Sequence, residues 1–383
     1  MRQGPYFCFF LIVMMSFSAQ ARAEAVGSAS YAGRIDTAIK SAIERGDIPG
    51  AVVLLGKGDA VIYRKAYGHR ALRPKALPMT VDTIFDMASL TKPVATATSV
   101  MILADRGLID LHQPVAKYLP EFGQNGKEGI TIEQLLLHRG GLIPDNPLSD
   151  YADGPWQSML NIFALRPQWR PGTVYKYTDV GYMVLGELVR RVDGRAVNLF
   201  ARDETFGPLG MYDSTFNPPA AWKERCAATA RRDGRWMVGE VHDPRAFALG
   251  GVAGHAGLFS TAEDLSRYCR MILHGGELEG VRILSESMVR RMTEKHCLPD
   301  GTGCRSYLFT FGGESYAPRG GRFERGATFG HTGFTGTMFW IDPVHEVYVI
   351  LLTNRVHPDN QGRTSQVRNE VSTTAAEWLL GPR

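Results

Sequence analysis

Apolar runs near both ends of the chain predict β-strands. The stretch AVVLLGKGDAVIYRKAYG, from Ala51 to Gly68, has two β-rich runs around a Gly-Lys-Gly-Asp turn, which is typical of a hairpin. The stretch TMFWIDPVHEVYVILLTN, from Thr337 to Asn354, predicts a second pair of strands about Asp342-Pro343. The segment from about Gln366 to Leu380 has helical character. This order predicts one sheet built from both ends of the chain, with the middle as an insertion.

Signals for helix starts and stops are concentrated in the middle of the chain. In TIEQLLLHRGG, Thr131 and Gln134 form a predicted capping box. The segment YMVLGELVRRVDG is apolar on one side and ends in basic residues and Gly194. In STAEDLSRYCRMILHGG, Ser260 and Glu263 form a second predicted box. These segments predict helices in the inserted region and just after it.

The first residues predict a signal peptide, residues 1–23. Arg2 supplies a positive charge, Tyr6–Phe17 is an apolar run, and AQARA offers small residues for cleavage after Ala23. An uncleaved anchor is the alternative. After cleavage we expect no stable membrane span, because no later segment is apolar enough. The mature protein is then expected to be exported across the inner membrane to the periplasm.

Composition and charge argue against a nucleic-acid partner. The chain has 383 residues and a formal net charge of +4, with both signs dispersed and no long basic run. Cys297 and Cys304 enclose the turn-forming sequence LPDGTG, so a short loop could bring them together. In an oxidising compartment, a disulfide and two free thiols both remain open. No Cys/His spacing resembles a zinc site, and no metal or cofactor is predicted.

The segment DMASLTKPVA, residues 86–95, allows two interpretations. Ser89 could be an ordinary helix N-cap, with Pro93 in the first turn. Alternatively, Ser89 is a nucleophile and Lys92 its partner, because positions i and i+3 share one face of a helix. The run from Ser89 to Leu108 is long enough for that helix, whose N-terminus would favour an oxyanion near Ser89. Ser and Lys are common residues, so this spacing alone is a weak signal.

Two further short motifs could meet this segment. In YTD, Tyr177 could relay a proton to a leaving group, whereas the alternative is a core tyrosine followed by an N-capping Asp179. In HTG, Gly333 would let a substrate backbone approach closely. The N–H of Phe334 could then be a second oxyanion donor beside that of Ser89. The alternative for HTG is an edge-strand turn.

Together with four other blocks in the same order, these motifs resemble the serine β-lactamase and penicillin-binding protein superfamily. The resemblance is to the branch of class C β-lactamases, DD-peptidases, D-aminopeptidases and related esterases, and it runs over nearly all the mature chain. The blocks are PGAVVLL with GDAVIYRKAYG, FDMASLTKP, TIEQLLLHRGGL, PGTVYKYTDVGYMVLGELV, GPLGMYDST, GLFSTAEDLSRY and GHTGFTG. Chance explains so many ordered blocks poorly. Within the superfamily, VHDPRAFALGGVAGHAGLFS is most similar to penicillin-binding protein 4B and its relatives.

The resemblance implies an α+β, β-lactamase/transpeptidase-like fold: an antiparallel sheet flanked by helices, with an inserted, mostly helical region. We expect the sheet domain to comprise residues 24–110 and 245–383, and the inserted region residues 111–244. The site is expected in the cleft between the two parts, because Ser89 and Tyr177 come from distant segments.

The resemblance also implies acyl transfer. Ser89 would attack a carbonyl and form an acyl-enzyme, with the base left open between Lys92 and Tyr177. Tyr177 would return a proton to the leaving group, and the N–H groups of Ser89 and Phe334 would form the oxyanion hole. The expected substrate-binding residues are Asp179, His331, Thr332 and Gly333.

Two residues depart from the family pattern. Asp179 stands where Asn is usual, and an ionised Asp accepts hydrogen bonds but cannot donate them. We expect Asp179 to pair with Lys92 and raise the pKa of that amine, which would move the role of base to Tyr177. His331 stands where β-lactamases carry Lys, and a histidine is only partly charged near neutrality.

The histidine at position 331 favours a penicillin-binding protein or DD-peptidase-like amide hydrolase that acts on D-amino-acid peptides, with weak β-lactamase activity. The alternatives are a class C-like β-lactamase, a carboxylesterase and a β-lactam-binding sensor without turnover. The expected partner is a small-molecule or peptide substrate: a peptidoglycan peptide, a β-lactam or an ester. His242 and His255 either line the cleft or are loop histidines that bond the backbone, and no catalytic metal is expected from them.

Overall fold

A computed structural model of the chain describes residues 30–311, 323 and 326–381. The predicted signal peptide, residues 1–23, lies outside the described residues. Within the described ranges, no helix combines the length and the apolar character that crossing a membrane requires.

The strands and helices are numbered in chain order. The strands are β1 (Gly50–Lys57), β2 (Ala60–Ala71), β3 (Leu77–Pro78), β4 (Phe85–Asp86), β5 (Thr215–Phe216), β6 (Ala228–Arg232), β7 (Arg235–Val238), β8 (Leu258–Ser260), β9 (Glu277–Leu278), β10 (Val281–Arg282), β11 (Thr310–Phe311), β12 (Phe329–Thr332), β13 (Met338–Asp342) and β14 (Val347–Thr353). The helices are α1 (30–44), α2 (Thr98–Asp105), α3 (Ile132–Leu136), α4 (Pro155–Ala164), α5 (Asp179–Asp193), α6 (Val197–Ala201), α7 (Pro244–Ala248), α8 (Ala262–Leu273), α9 (Glu286–Thr293) and α10 (Ser365–Leu380).

The main sheet joins the two ends of the chain. Its strands are antiparallel and lie in the order β11-β12-β13-β14-β1-β2-β3. β1 with β2, and β13 with β14, form the two predicted hairpins. β1 pairs directly with β14, with Val52 opposite Leu352. The prediction of one sheet built from both ends of the chain is confirmed.

Both faces of the central strand β1 are buried. Val52 and Leu54 point into the core shared with the inserted helices. Ala51, Val53 and Leu55 point into the core beneath α1 and α10. Since successive side chains of a strand point to opposite faces, a strand covered on both sides carries a continuous apolar run, AVVLL. The expected α+β architecture, with helices on an antiparallel sheet, is confirmed.

The inserted region is mostly helical. Residues 111–244 contain α3 to α6 together with the short strands β5, β6 and β7. β5 pairs with β8, which in turn pairs with β4 ahead of the Ser89 segment. The division into residues 24–110 with 245–383, and 111–244, stays a prediction.

The predicted single helix from Ser89 to Leu108 is wrong. The structure has a 3₁₀ turn at Ala88–Leu90 and a π-helical turn at Lys92–Ala97, and α2 begins only after them. Pro93 has no N–H to donate within a regular helix, and the wider turn accommodates it. The Thr98 hydroxyl donates to the Pro93 carbonyl at 2.7 Å, which closes this turn at the start of α2. Ser89 therefore lies in a tight turn ahead of the regular helix and is not its N-cap.

One predicted capping box is confirmed and the other is wrong by one residue. At α3, Thr131 and Gln134 make both reciprocal bonds of the box. At α8 the cap is Thr261, whose hydroxyl accepts from the Asp264 N–H at 3.2 Å. Ser260 cannot cap the helix because it is the last residue of β8.

The loop between Cys297 and Cys304 is closed by a disulfide. The sequence left this pairing open, and the structure decides it in favour of the bond. Arg139, which follows α3 and is buried, donates to the carbonyls of Cys297 at 3.3 Å and Gly303 at 3.1 Å. The closed loop is thereby fixed against the inserted region.

Gly56 in β1 and Gly33 in α1 predict opposite effects of alanine. A Cβ at Gly56 would lie 2.0 Å from the ring of Tyr348, its partner on β14. Gly56→Ala should therefore lower the free energy of unfolding by about 1–3 kcal/mol. A Cβ at Gly33 meets no atom within 4 Å, so Gly33→Ala should raise that free energy by about 0.5–1 kcal/mol. Urea denaturation measures both, and a neutral Gly56→Ala would contradict the pairing of β1 with β14.

Candidate active site

The turn that presents Ser89 is held by a buried carboxylate. Asp86, at the end of β4, accepts the Ala88 N–H at 2.8 Å and the His242 N–H at 2.6 Å. Ala88 has a φ of 46°, an uncommon backbone conformation for a residue with a Cβ. Burial raises the pKa of Asp86 to about 6, although the two N–H groups stabilise its charge. Asp86 thus fixes the backbone immediately before Ser89.

Lys92 is the buried centre of the site. Its side chain has no exposed surface, and its ammonium meets Ser89 Oγ at 3.1 Å, the His255 carbonyl at 3.2 Å and Asp179 Oδ1 at 2.5 Å. Burial alone would lower the pKa of Lys92, but Asp179 and Tyr177 raise it above its ordinary value. Lys92 is therefore an ammonium at neutral pH, and the predicted ion pair with Asp179 is present.

The ring of Tyr177 lies over Lys92, and the Tyr177 hydroxyl interacts with the side chain of Ser89. Its ring centre is 4.8 Å from Lys92 Nζ. Burial raises the pKa of the Tyr177 hydroxyl, and the interactions with Lys92 and Ser89 oppose this only in part. Tyr177 is therefore a neutral phenol beside a charged lysine.

The strand-like segment carrying Tyr177 is positioned by His138, a residue for which the sequence predicted no role. His138 Nδ1 accepts the Thr178 N–H at 3.1 Å, so its proton is on Nε2. Its ring packs on Tyr177 at 4.5 Å and on Tyr182 at 5.0 Å between ring centres. Burial, helped by the charges of Arg305 and Lys92, holds the pKa of His138 well below its usual range. The one sequence signal for this role was the place of His138 in the TIEQLLLHRGGL block. The residue pattern itself did not distinguish His138 from an ordinary histidine at the end of a helix.

Because Thr178 caps α5, the carboxylate of Asp179 is available to pair with Lys92. The N-cap is Thr178, whose hydroxyl accepts the Gly181 N–H at 3.3 Å and donates to the Ile143 carbonyl at 2.6 Å. Asp179 is the first helical residue, so its carboxylate turns towards the lysine. The alternative interpretation of Asp179 as an N-cap is wrong.

His331 is uncharged, which corrects the expectation of a partial charge. It lies on β12 with 5% of its surface exposed, and its Nδ1 is 2.8 Å from the Thr332 carbonyl. Burial, with Arg305 and Lys92 nearby, lowers the pKa of His331 to about 3. The sequence could not reveal this, because the burial and the neighbouring cations come from other segments.

The turn after β12 is attached to the Ser89 segment. The Thr335 hydroxyl donates to the Asp86 carbonyl at 2.7 Å, and the Thr337 hydroxyl donates to the Met87 carbonyl at 3.1 Å. A Cβ at Gly333 would lie 2.5 Å from the Met87 carbonyl, so only glycine allows this approach. Phe334, which follows, is 53% exposed.

Ser89 and the HTG motif open into one cavity of about 1020 Å³, as the predicted cleft requires. Among the described hydrogen bonds, neither the Ser89 N–H nor the Phe334 N–H is a donor. The predicted residues that line the cavity are Ser89, Tyr177, His331, Thr332, Gly333 and Phe334. Lys92 and Asp179 are not among the described residues that line the cavity, and Lys92 contacts the lining residues Ser89 and Tyr177.

The two loop histidines have different positions. The His242 ring stacks on Phe334 with 5.6 Å between ring centres, and burial lowers the pKa of His242 to about 4. His255 is buried behind Lys92, with its Nε2 2.9 Å from Asp243 Oδ1. Neither ring is among the described residues that line the cavity.

Two arginines supply positive charge to the cavity. Arg355 donates to the Phe334 carbonyl at 2.6 Å, and its guanidinium lies 4.3 Å from the centre of the Phe334 ring. Arg368, on α10, donates to the carbonyls of Gly333 and Thr337, both at 2.9 Å. Both arginines line the cavity, and within the described ranges neither forms an ion pair with a carboxylate.

A cluster of Asp179, Asp243 and His255 has ligand atoms within 4.8 Å of one another, a spacing that a metal ion could use. The Lys92 ammonium, however, already lies 2.5 Å from Asp179 Oδ1. A divalent cation at the same carboxylate would be repelled by that charge. The donor set therefore fits the ammonium better than a metal ion.

Comparisons with known proteins identify the family of the chain. The family model described as Beta-lactamase matches residues 35–371. An Escherichia coli (strain K12) protein named "Putative D-alanyl-D-alanine carboxypeptidase" is 31% identical over 81% of this chain and 79% of its own length. A Bacillus subtilis (strain 168) protein named N-acetylmuramyl-L-alanine amidase is 30% identical over 85% of this chain and 82% of its own length.

A solved structure supports the fold independently. The structure of a penicillin-binding protein homologue from Caulobacter crescentus has a TM-score of 0.71, with 24% identity, covering 90% of this chain and 97% of that one. The narrower likeness to penicillin-binding protein 4B stays a prediction. The length of the family match and the identity to the curated relatives decide the broader question: the chain belongs to the beta-lactamase family and is a serine hydrolase.

Proposed function

We propose that the protein is an exported, periplasmic amide hydrolase of the DD-carboxypeptidase type, which acts on peptides that end in a D-amino acid and forms an acyl-enzyme at Ser89. The observation that carries this proposal is the 3.1 Å contact between Ser89 Oγ and Lys92 Nζ at the wall of the cavity. Further support comes from the E. coli relative's name, which specifies a D-alanyl-D-alanine carboxypeptidase.

The resting charges suggest how the proton of Ser89 moves. An ammonium at Lys92 has no lone pair to accept a proton, and a neutral Tyr177 is a poor base. The 2.5 Å contact lets Lys92 first pass one proton to Asp179. The neutral amine then accepts the Ser89 proton as Ser89 Oγ bonds to the substrate carbonyl carbon. In this route Asp179 is the proton acceptor that the usual Asn could not be.

Collapse of the intermediate returns the proton. Lys92 donates to Tyr177 while the Tyr177 hydroxyl donates to the leaving nitrogen, and the C–N bond breaks. Asp179 then gives its proton back to Lys92, so the net transfer is from Ser89 to the leaving amine. Ser89 N–H and Phe334 N–H are our proposed oxyanion donors, because neither donates elsewhere among the described hydrogen bonds and their segments are attached to each other. Water subsequently hydrolyses the acyl-enzyme.

The substrate preference follows from the arginines. A carboxypeptidase substrate carries a carboxylate close to the scissile bond, and an uncharged His331 cannot attract it. Arg355 and Arg368 line the same cavity without a carboxylate partner among the described residues. Guanidinium groups bind carboxylates by charge-assisted hydrogen bonds, which are stronger than neutral ones. We propose that this pair binds the terminal carboxylate, while Thr332, Gly333 and His331 contact the peptide backbone.

Ser89→Ala should abolish hydrolysis and covalent labelling. We would incubate the purified protein separately with a D-Ala-D-Ala peptide, a chromogenic cephalosporin and a p-nitrophenyl ester, and follow turnover and intact mass. Ser287→Ala, at an exposed serine of α9, is the matched control and should behave like the unmodified protein. An adduct that persists on Ser89→Ala would refute the assignment.

The same panel separates the alternative functions. Turnover of the peptide supports the proposal. Turnover of the cephalosporin alone would indicate a class C-like β-lactamase, and turnover of the ester alone a carboxylesterase. A stable adduct without any turnover would indicate a β-lactam-binding sensor.

Asp179→Asn should move the pH dependence of acylation. Asp179 holds the pKa of Lys92 above its ordinary value, so removing its charge lowers that pKa and should bring the limb that reports Lys92 down into the measured pH range. An opposite charge at this distance accounts for about one unit or more. The measurement is kcat/KM for the p-nitrophenyl ester from about pH 5 to about pH 11. An unchanged profile would exclude Asp179 from the proton route.

Arg355→Gln should reduce the preference for a free carboxylate. The comparison uses one peptide with either a terminal carboxylate or a terminal amide, and the quantity is the ratio of the two kcat/KM values. We expect this ratio to fall about tenfold, because a charged hydrogen bond is lost. Any disturbance of the Phe334 N–H affects both peptides equally and cancels in the ratio. Arg290→Gln, on the exposed side of α9, is the control; an unchanged ratio in Arg355→Gln would contradict the proposed carboxylate site.

A further inference from the structure

The segment from Val241 to Ser260 contains a buried, hydrogen-bonded pair of side chains that the proposed reaction has not used. His255 is 1% exposed, and its Nε2 lies 2.9 Å from Asp243 Oδ1. The same Asp243 oxygen accepts the Ala246 N–H at 2.7 Å and thereby caps α7. Burial alone would raise the pKa of Asp243, but His255 and the Ala246 N–H hold it below its ordinary value. The carboxylate is therefore ionised in the folded protein.

The backbone beside this pair is bonded to the segment that carries the proposed nucleophile. The Gly254 carbonyl accepts the Thr96 hydroxyl at 2.7 Å, and the next carbonyl, of His255, accepts Lys92 Nζ at 3.2 Å. Lys92 and Thr96 belong to the same π-helical turn. A Cβ at Gly254 would lie 1.9 Å from the Tyr182 carbonyl. The His255 carbonyl is therefore fixed between the π-helical turn, α5 and the side-chain pair.

The pair also adds charge beside Lys92. A carboxylate oxygen of Asp243 lies within 4.8 Å of one of Asp179, so Lys92 interacts with two carboxylates. Only one of them, Asp179, touches the ammonium directly. The titratable groups that interact with Lys92 come from several elements of the fold. They are Tyr177, Asp179 and Tyr182 around the start of α5, His138 after α3, His331 on β12, and Asp243 with His255 around α7.

We propose that Asp243 and His255 form a positioning pair for Lys92. The pair holds the His255 carbonyl where it accepts one N–H of the ammonium, and Asp243 supplies a second negative charge near that ammonium. This inference rests on the proposed roles of Ser89 and Lys92. It differs from a purely structural role, in which Asp243 would only cap α7 and tie the loop together.

Removing the charge while keeping the shape separates these two roles. Asp243→Asn retains an oxygen for the Ala246 N–H and for His255, but it has no charge. We expect the limb of the acylation pH profile that reports Lys92 to move to lower pH, by less than in Asp179→Asn because Asp243 does not touch the ammonium. We also expect kcat to fall about tenfold with KM within about twofold, because substrate contacts are unchanged. Asp243→Ser, which keeps a capping oxygen, should give the same shift and serves if the Asn variant does not fold.

His255 provides a second arm of the experiment. His255→Ala should lower kcat as strongly as Asp243→Asn, because the His255 carbonyl is no longer held in place by the side-chain bond to Asp243. His255→Gln, which can still donate to Asp243, should recover most of that loss. Asp264→Asn is the matched control: this buried carboxylate bonds Ser214 and the Asp213 N–H and should leave the pH profile unmoved. Thermal unfolding of every variant reports whether it is folded.

The outcomes distinguish the pair from the proposed function. If folded Asp243→Asn has a lower Tm and an unmoved pH profile, while Ser89→Ala is inactive, the pair is only structural and this inference is wrong. If Ser89→Ala keeps its activity, the proposed function fails and the inference fails with it. If His255→Gln is as impaired as His255→Ala, the link through Asp243 is refuted.

Discussion

The buried ammonium of Lys92 is the constraint on which the site depends. A charge without exposed surface is costly unless every donor has an acceptor. The acceptors come from three segments far apart in the chain: Ser89 beside it, Asp179 at the start of α5, and the His255 carbonyl after α7. The protein must therefore bring these segments together to bury the lysine.

A second set of hydrogen bonds connects the main sheet to the site. The hydroxyls of Thr335 and Thr337 donate to consecutive backbone carbonyls just before Ser89. They fix the end of β12 relative to the turn that Asp86 holds on its other side. The two proposed oxyanion donors, the N–H groups of Ser89 and Phe334, thereby belong to segments that are bonded to each other. Stabilisation of a developing oxyanion requires such preorganised donors, since donors that must reorient during the reaction contribute less.

The parts of the molecule that could be predicted are those with local signals. Hairpins follow from apolar runs and turns, and the cap of α3 follows from Thr131 and Gln134. The ion pair of Asp179 with Lys92 was predictable because Asp179 stands in a family motif where Asn is usual. The interrupted helix after Ser89 was not, since Pro93 is tolerated in the first turn of many helices and the π-helical turn depends on tertiary contacts. His138 and the neutral state of His331 depend on burial among distant residues, which no local pattern encodes.

The two departures from the family motif redistribute charge. Asp179 adds a negative charge behind the cavity, and a neutral His331 removes a positive charge from its wall. The ammonium of Lys92 is then neutralised by its own partner and attracts an anionic substrate only weakly. Arg355 and Arg368 place positive charge at the wall of the cavity, where neither has a carboxylate partner among the described residues. In the proposed mechanism, proton transfer and anion binding therefore belong to separate groups. A lysine at position 331 would combine anion binding with a charge that disfavours the ammonium of Lys92, and the histidine avoids this conflict.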